Sequence, residues 1–315
     1  MKEFTYYAPT EIIFGCGKAT AIGEVVRRYG ETALLVTDDS KPMAAIAEKV
    51  MQLLQKSGIS TVHFCGVKPN PTTNIVTEGA RMAKNHGAQV VIGLGGGSSM
   101  DTAKAIAVEA THEGTAWDYN CHTQGPTEKT LPIIAIGTTA GTGSQVTQCS
   151  VITRTADKDK SAIWHRNIFP RVAIVDPELT ATMPKSVTAQ TGFDAFCHNF
   201  EAYLSVNTNP LVEVMALEAI RIINENLPKV LEDGSNMEAR SQMAWQIPWR
   251  IDEFQCRSDA SPWTRDAGGR PLPTGNPWPS ACSFLSGVYP IYLSNCNRKI
   301  CHGRENPQFG ALRAR

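Results

Sequence analysis

The 315-residue sequence is narrowed first by what it lacks. Neither charge is in excess, since 30 basic and 30 acidic side chains cancel. Without a basic surplus there is no composition-level drive for counterion release, which argues against a nucleic-acid partner. No CxxC pair occurs among the nine cysteines, Cys16, Cys65, Cys121, Cys149, Cys197, Cys256, Cys282, Cys296 and Cys301. An odd number without that spacing reads as free thiols in a reducing compartment. The opening Met1-Lys2-Glu3-Phe4 lacks a basic segment followed by an apolar run, so no signal peptide is expected. Apolar stretches are strand-length and broken by glycine, so no membrane span is expected either. A cytoplasmic location is the resulting expectation.

What is present alternates. Residues 9–15 read as a short edge strand, and a helix is expected near Ala19 to Tyr29. Thr32 to Thr37 is a continuous apolar run with polar ends, as suits a strand buried on both faces. A helix carrying Ile46, Val50, Leu53 and Leu54 follows, then a strand at Ser60 to Phe64, a helix over 74–87 and a strand at Val90 to Leu94. A helix from about Met100 to Glu109 and a strand over Leu131 to Ile136 continue the pattern. Strands alternating with helices of this length predict a mostly parallel, Rossmann-like sheet, making residues 1–180 an α/β domain. From Pro184 the character changes, and helices are expected at Thr188 to Ala202, Pro210 to Glu225 and Asn236 to Trp245. Residues 181–245 therefore read as a helical domain, incomplete because three amphipathic helices need further partners to bury their stripes.

Two segments carry phosphate-type chemistry. Gly95-Gly96-Gly97-Ser98-Ser99 turns the chain from a buried strand into a helix, where free backbone N–H groups suit a pyrophosphate. It is neither a Walker A loop nor the GxGxxG fingerprint. Thr138-Thr139-Ala140-Gly141-Thr142-Gly143-Ser144 again follows a strand and supplies hydroxyls for phosphate and ribose. Asp38 or Asp39, at the end of the second buried strand, either accepts from an adenosine ribose or caps the next helix. Lys160 either pairs with a phosphate or is a solvated surface lysine. Further along, Asp194 and His198 stand four apart on one helix face and could both reach a divalent ion, or could be a surface acid and an interior histidine.

Gly95 to Lys104, Thr138 to Ser144, Asp176-Pro-Glu-Leu-Thr180, and Thr191-Gly-Phe-Asp-Ala195 with His198, Glu201, Ala202 and Tyr203 together resemble the iron-containing alcohol dehydrogenase family, over about residues 5–245. The resemblance implies an NAD-dependent (or NADP-dependent) enzyme interconverting a small alcohol and an aldehyde or ketone. It implies Fe2+ at the metal site, with Zn2+ or Mn2+ in a glycerol-type alternative. It places Gly96, Gly97, Ser98 and Asp101 at the pyrophosphate and nicotinamide. Thr138, Thr139, Thr142, Ser144 and Lys160 would complete the cofactor site, with Asp38 near the adenosine ribose. Asp194 and His198 match two metal ligands, and no proton-transfer residue is assigned. Asp38 and Asp39 favour NAD, since an acid beside a 2′-phosphate repels it.

The family's other two metal ligands are histidines, one in a Pro-His-Gly context, and here the resemblance ends. His302 is the one histidine after His198, in Cys301-His302-Gly303. Residues 246–315 are an irregular tail holding three of six tryptophans and eight of nineteen prolines. Because tryptophan is TGG and proline begins CC, Pro262-Trp263 can hide His-Gly one base along. With permissible codons, Ser258 to Asp266 becomes Val-Thr-Leu-Pro-His-Gly-His-Gly, and Pro277-Trp278 can hide a second His-Gly. The tail is therefore expected to be read out of frame, the other reading being a divergent end. Either way two metal-ligand histidines are lost and activity is expected to be impaired. A catalytically silent nucleotide-binding remnant is the competing function. Uncovered apolar faces on the helices would promote self-association into a homo-oligomer or aggregates.

Overall fold

The computed structural model describes residues 3–205 and 208–246. Six parallel strands form the central sheet: β1 (Glu11–Phe14), β2 (Thr32–Asp38), β3 (Ser60–Val67), β4 (Val90–Gly95), β5 (Ile133–Gly137) and β8 (Val172–Val175), in the order β1-β8-β5-β4-β2-β3. Strands β6 (Cys149–Arg154) and β7 (Asp159–Trp164) form a separate antiparallel hairpin. The first helices are α1 (Ile22–Arg27), α2 (Lys41–Lys56), α3 (Thr73–His86) and α4 (Gly97–Glu109). A short 3-10 turn at Lys18–Ala21 precedes α1, so the first expected helix is split.

The apolar runs explain the sandwich. In β2, Leu34 and Val36 face one layer with Val76, Ala80 and Ala83 of α3 and Ala103 and Ile106 of α4. Their neighbours Ala33 and Leu35 face the other layer with Val25 and Val26 of α1 and Met43, Ala47 and Leu54 of α2. Period-two side chains that are apolar at every position require a sheet covered on both sides. Helix α4 is buried almost all round, from Ser99 to Glu109 apart from Asp101. That explains its lack of an amphipathic stripe.

The strand order also locates a crevice. From β2 the chain steps outward to β3, then returns across β2 to place β4 on its other side. Ligands of open α/β sheets lie beyond the carboxyl ends of strands at such a reversal. Here those ends are Asp38 of β2 and Gly95 of β4.

Helices α5 (Lys185–Leu204), α6 (Pro210–Glu232) and α7 (Met237–Trp245) follow, with α6 packing on both of the others. Asn209 caps α6, its side chain accepting from Leu211 N–H and Val212 N–H at 3.1 and 3.2 Å. The helix runs on through Pro228, longer than its sequence pattern indicates. Gly192 lets α5 approach α6 closely, since a Cβ there would lie 2.6 Å from Leu227 Cδ1. No described helix is long and apolar enough to cross a membrane. The tail expectation lies outside the described residues.

Candidate functional site

Strands β4 and β5 pair in register from Val91 with Ile133 to Gly95 with Gly137, so both glycine-rich loops leave the sheet at one level. Thr138 N–H donates to Gly95 carbonyl at 3.0 Å and ties them together. Gly95 has φ of +142°, and a Cβ there would meet Ser99 Oγ at 2.5 Å, so both conformation and space demand glycine. A Cβ on Gly97 would lie 2.9 Å from Thr142 Cγ2, and one on Gly96 would lie 3.5 Å from Thr139 Cγ2. The loops face each other across these contacts. Gly96, Gly97, Ser98, Thr139 and Thr142 are partly exposed, whereas Leu94, Gly95, Ser99, Met100, Thr138 and Gly141 are buried. The accessible atoms of both loops therefore share one small surface.

Helix α4 begins at Gly97, three residues earlier than its apolar pattern indicates, and no side chain caps it. Its first N–H groups are thus directed at that surface, with the positive end of the helix dipole behind them. Thr139 Oγ1 is buried without a hydrogen-bond partner. An orphaned hydroxyl beside an uncapped helix end and two Cβ-intolerant glycines fits an anionic ligand.

The other sequence-derived positions lie around this centre. Asp38 accepts from Ser40 N–H at 2.9 Å, which makes it at least a turn former at the start of α2. Neighbouring Asp39 is ion-paired with Lys68, which holds its carboxyl below the usual range. Asp101 accepts from Ser144 Oγ at 2.6 Å and from Val151 N–H at 3.1 Å. Burial raises its pKa, opposed by Lys104, these two hydrogen bonds and Lys160. Lys160, on β7, donates to Asn70 Oδ1 at 2.8 Å, and burial lowers its pKa against the pull of Asp101. The hairpin thus brings Lys160 within electrostatic reach of the loop centre.

Lys104 was not singled out by sequence reasoning. It is fully buried, and its Nζ donates to the carbonyls of Ser144, Thr147 and Cys149 at 2.7, 2.9 and 2.7 Å. Little in the sequence signals this, because α4 carries several polar residues and the partners of Lys104 are backbone carbonyls.

On α5, Asp194 Oδ1 and His198 Nε2 lie 3.5 Å apart, each side chain 20% exposed. The predicted helix and face are therefore present. The helix touches the second loop directly, since a Cβ on Gly141 would lie 2.4 Å from Thr191 carbonyl oxygen. The nucleotide-type loop and the metal-type pair are adjoining parts of one structure.

Residues 9–177 match the iron-containing alcohol dehydrogenase family, and residues 188–246 match the C-terminal part of that family. The chain belongs to this family. Among its relatives, choline dehydrogenase of Bacillus subtilis is 42% identical over 248 residues, covering 78% of this chain and 62% of that protein. NAD-dependent methanol dehydrogenase of Bacillus methanolicus is 36% identical over 241 residues, covering 76% and 63%. An archaeal halo-thermophilic alcohol dehydrogenase from a Red Sea brine pool superposes with a TM-score of 0.76 at 38% identity, covering 79% of this chain and 64% of that one. Sulfoacetaldehyde reductase from Bifidobacterium kashiwanohense, solved in complex with NAD+, gives 0.75 at 32% identity, covering 78% and 65%. The chain spans less than two thirds of the length of these relatives, and both family matches end by residue 246.

In this family member the metal side is incomplete among the described residues. No group of three or more His, Cys, Asp or Glu is placed there to hold an ion. One carboxylate and one imidazole suit a divalent cation chemically, but two donors do not close a four-coordinate sphere. The described residues do not fit a resident metal.

Proposed function

We propose that this chain is the nucleotide-binding half, with a partial metal half, of an NAD-dependent dehydrogenase interconverting a small alcohol and its aldehyde or ketone. The pair of facing loops on β4 and β5, with the uncapped start of α4 between them, carries this reading. The α/β part, residues 1–180, holds the cofactor, and residues 181–245 hold Asp194 and His198. Residues 246–315 are, on this reading, an out-of-frame tail. The names of the relatives, acting on choline, methanol and 1,3-propanediol, support a small alcohol.

The residues divide the work. Backbone N–H groups at Gly96, Gly97 and Ser98 hold the pyrophosphate, and Thr139 Oγ1 and Thr142 Oγ1 donate to its oxygens or to ribose. Thr138 and Ser144 fix the second loop, Asp101 anchors Ser144, and Lys160 adds positive charge beside them. Asp38 accepts from the adenosine ribose, which favours NAD over NADP. NAD, when bound, supplies the hydride acceptor. Asp194 and His198 border the space where an alcohol oxygen would lie, and with two ligands we assign them no proton-transfer step. A second reading, a catalytically silent nucleotide binder, is favoured by the lack of a three-donor group among the described residues.

Fluorescence titration of the full chain with NADH, followed by alcohol-dependent reduction of NAD+ with Fe2+, Zn2+ or Mn2+ added anaerobically, tests both. Saturable NADH binding supports the site. Turnover then selects the enzyme, and binding without turnover selects the silent binder. No binding overturns the reading.

A further inference from the structure

The segment between the second phosphate-type loop and β6 has little regular structure of its own. Gly143 has φ of +66°, and residues 144–146 make a single 3-10 turn that no side chain caps. Two side chains one turn apart on α4 hold this segment instead. Asp101 takes its donors: Ser144 Oγ and Val151 N–H on the carboxylate, and Ser150 Oγ on its backbone carbonyl at 2.7 Å. Lys104 takes its acceptors, the carbonyls of Ser144, Thr147 and Cys149. The hydroxyls of Ser144 and Thr147, at 3.1 and 3.4 Å, complete the surroundings of its Nζ. An ammonium has three protons, and three well-placed carbonyls saturate it.

We infer that Lys104 is a positioning residue of the dinucleotide site, setting the 138–149 loop against the Gly95–Gly97 turn by gathering three of its backbone carbonyls. This rests on the cofactor reading above and adds a residue to it. A fully buried ammonium tolerates little displacement of its acceptors. Thr142 and Ser144 therefore inherit their positions from α4, the same helix whose start would hold the pyrophosphate. One rigid element would thereby set both walls of the cradle. A deprotonated lysine has only two donors and must release one carbonyl. Burial brings Lys104 down to about 8, against support from Asp101 and Cys149. The charged and titratable groups facing it are Asp101 on α4 and Cys149 on β6, with Lys160 on β7 acting on Asp101. The positioning effect should therefore weaken above that pH.

The test compares NADH dissociation constants of the full-length wild type and Lys104→Met, a near-isosteric change without the charge, from pH 6.5 to 9.5. Each is repeated in a Cys149→Ser background to remove the thiol's own titration. The expected result is at least tenfold weaker binding in Lys104→Met at pH 7. Wild-type affinity should fall several-fold through about pH 8, and the variant should show no such inflection. Equal affinities with parallel pH profiles overturn the inference while leaving the cofactor site standing. If Lys104→Met does not fold, the wild-type profile decides alone, a flat curve counting against it and an inflection near 8 for it. A wild type that binds no NADH overturns the cofactor reading and this inference together.

Discussion

Replacing Gly141 by alanine tests the contact that joins the two halves of the proposed site. The new Cβ would lie 2.4 Å from the Thr191 carbonyl oxygen and 2.9 Å from Thr191 Cβ. Ordinary contact begins near 3.4 Å, so the loop and α5 must separate by about 1 Å. The atom in the way is helix backbone and cannot rotate aside. Overpacking of this kind costs about 1–3 kcal/mol, which lowers Tm by roughly 2–12 °C in a domain of this size. Displacing the loop should also lose one charge-assisted hydrogen bond to the cofactor, about 1.5–3 kcal/mol, or on the order of tenfold to a hundredfold in NADH affinity. Thermal melts with and without NADH read both numbers. Gly137→Ala is the control, because its Cβ would find nothing nearer than 3.7 Å and should leave both values nearly unchanged. If Gly141→Ala matched this control in Tm and affinity, the close approach of loop and α5 would be refuted.

Three further outcomes are expected. Leu211, Val214 and Leu217 on α6 are 41%, 67% and 49% exposed, an apolar stripe that should drive self-association, so Val214→Glu should lower the mass found by sedimentation velocity; an unchanged mass would count against it. Lys104 is held at about 8 in the folded chain against an ordinary 10.5, so between these values the unfolded chain binds a proton that the native chain has released. Its contribution to stability is therefore absent below pH 8 and grows towards pH 10.5, and urea melts of wild type should gain on Lys104→Met across that window; parallel curves would refute the burial argument. Sequencing the coding DNA should show the Val-Thr-Leu-Pro-His-Gly-His-Gly frame beneath Ser258 to Asp266, and codons incompatible with it would end the out-of-frame reading.

Strands β2, β4 and β5 were the most legible, because burial on both faces makes their apolar runs continuous, whereas β1 and β3 were read from shorter or mixed runs that are partly exposed. Strands β6 and β7 were not, since Cys149-Ser-Val-Ile-Thr-Arg154 and Asp159-Lys-Ser-Ala-Ile-Trp164 mix polar and apolar residues in a hairpin covered mainly on one side. Four-residue β8 is too short to show a period. Both phosphate-type loops could be placed because a glycine run at a strand end has few other uses. That the loops touch could not be read, as it depends on β4 and β5 being neighbours in register. Lys104 was read as the close of a motif rather than as a buried ammonium, because its partners are carbonyls that leave no trace in residue type. The Asp194 and His198 pair was legible from helical spacing alone, which needs no tertiary information.

On the proposed reading the cofactor half is complete, and among the described residues the metal half is not. The most direct measurement is the stoichiometry of NADH and of tightly held metal on one sample of the purified full chain, prepared anaerobically with Fe2+ and then desalted. The expected result is about one NADH per chain and metal well below one. Near-stoichiometric metal retained through desalting would contradict it.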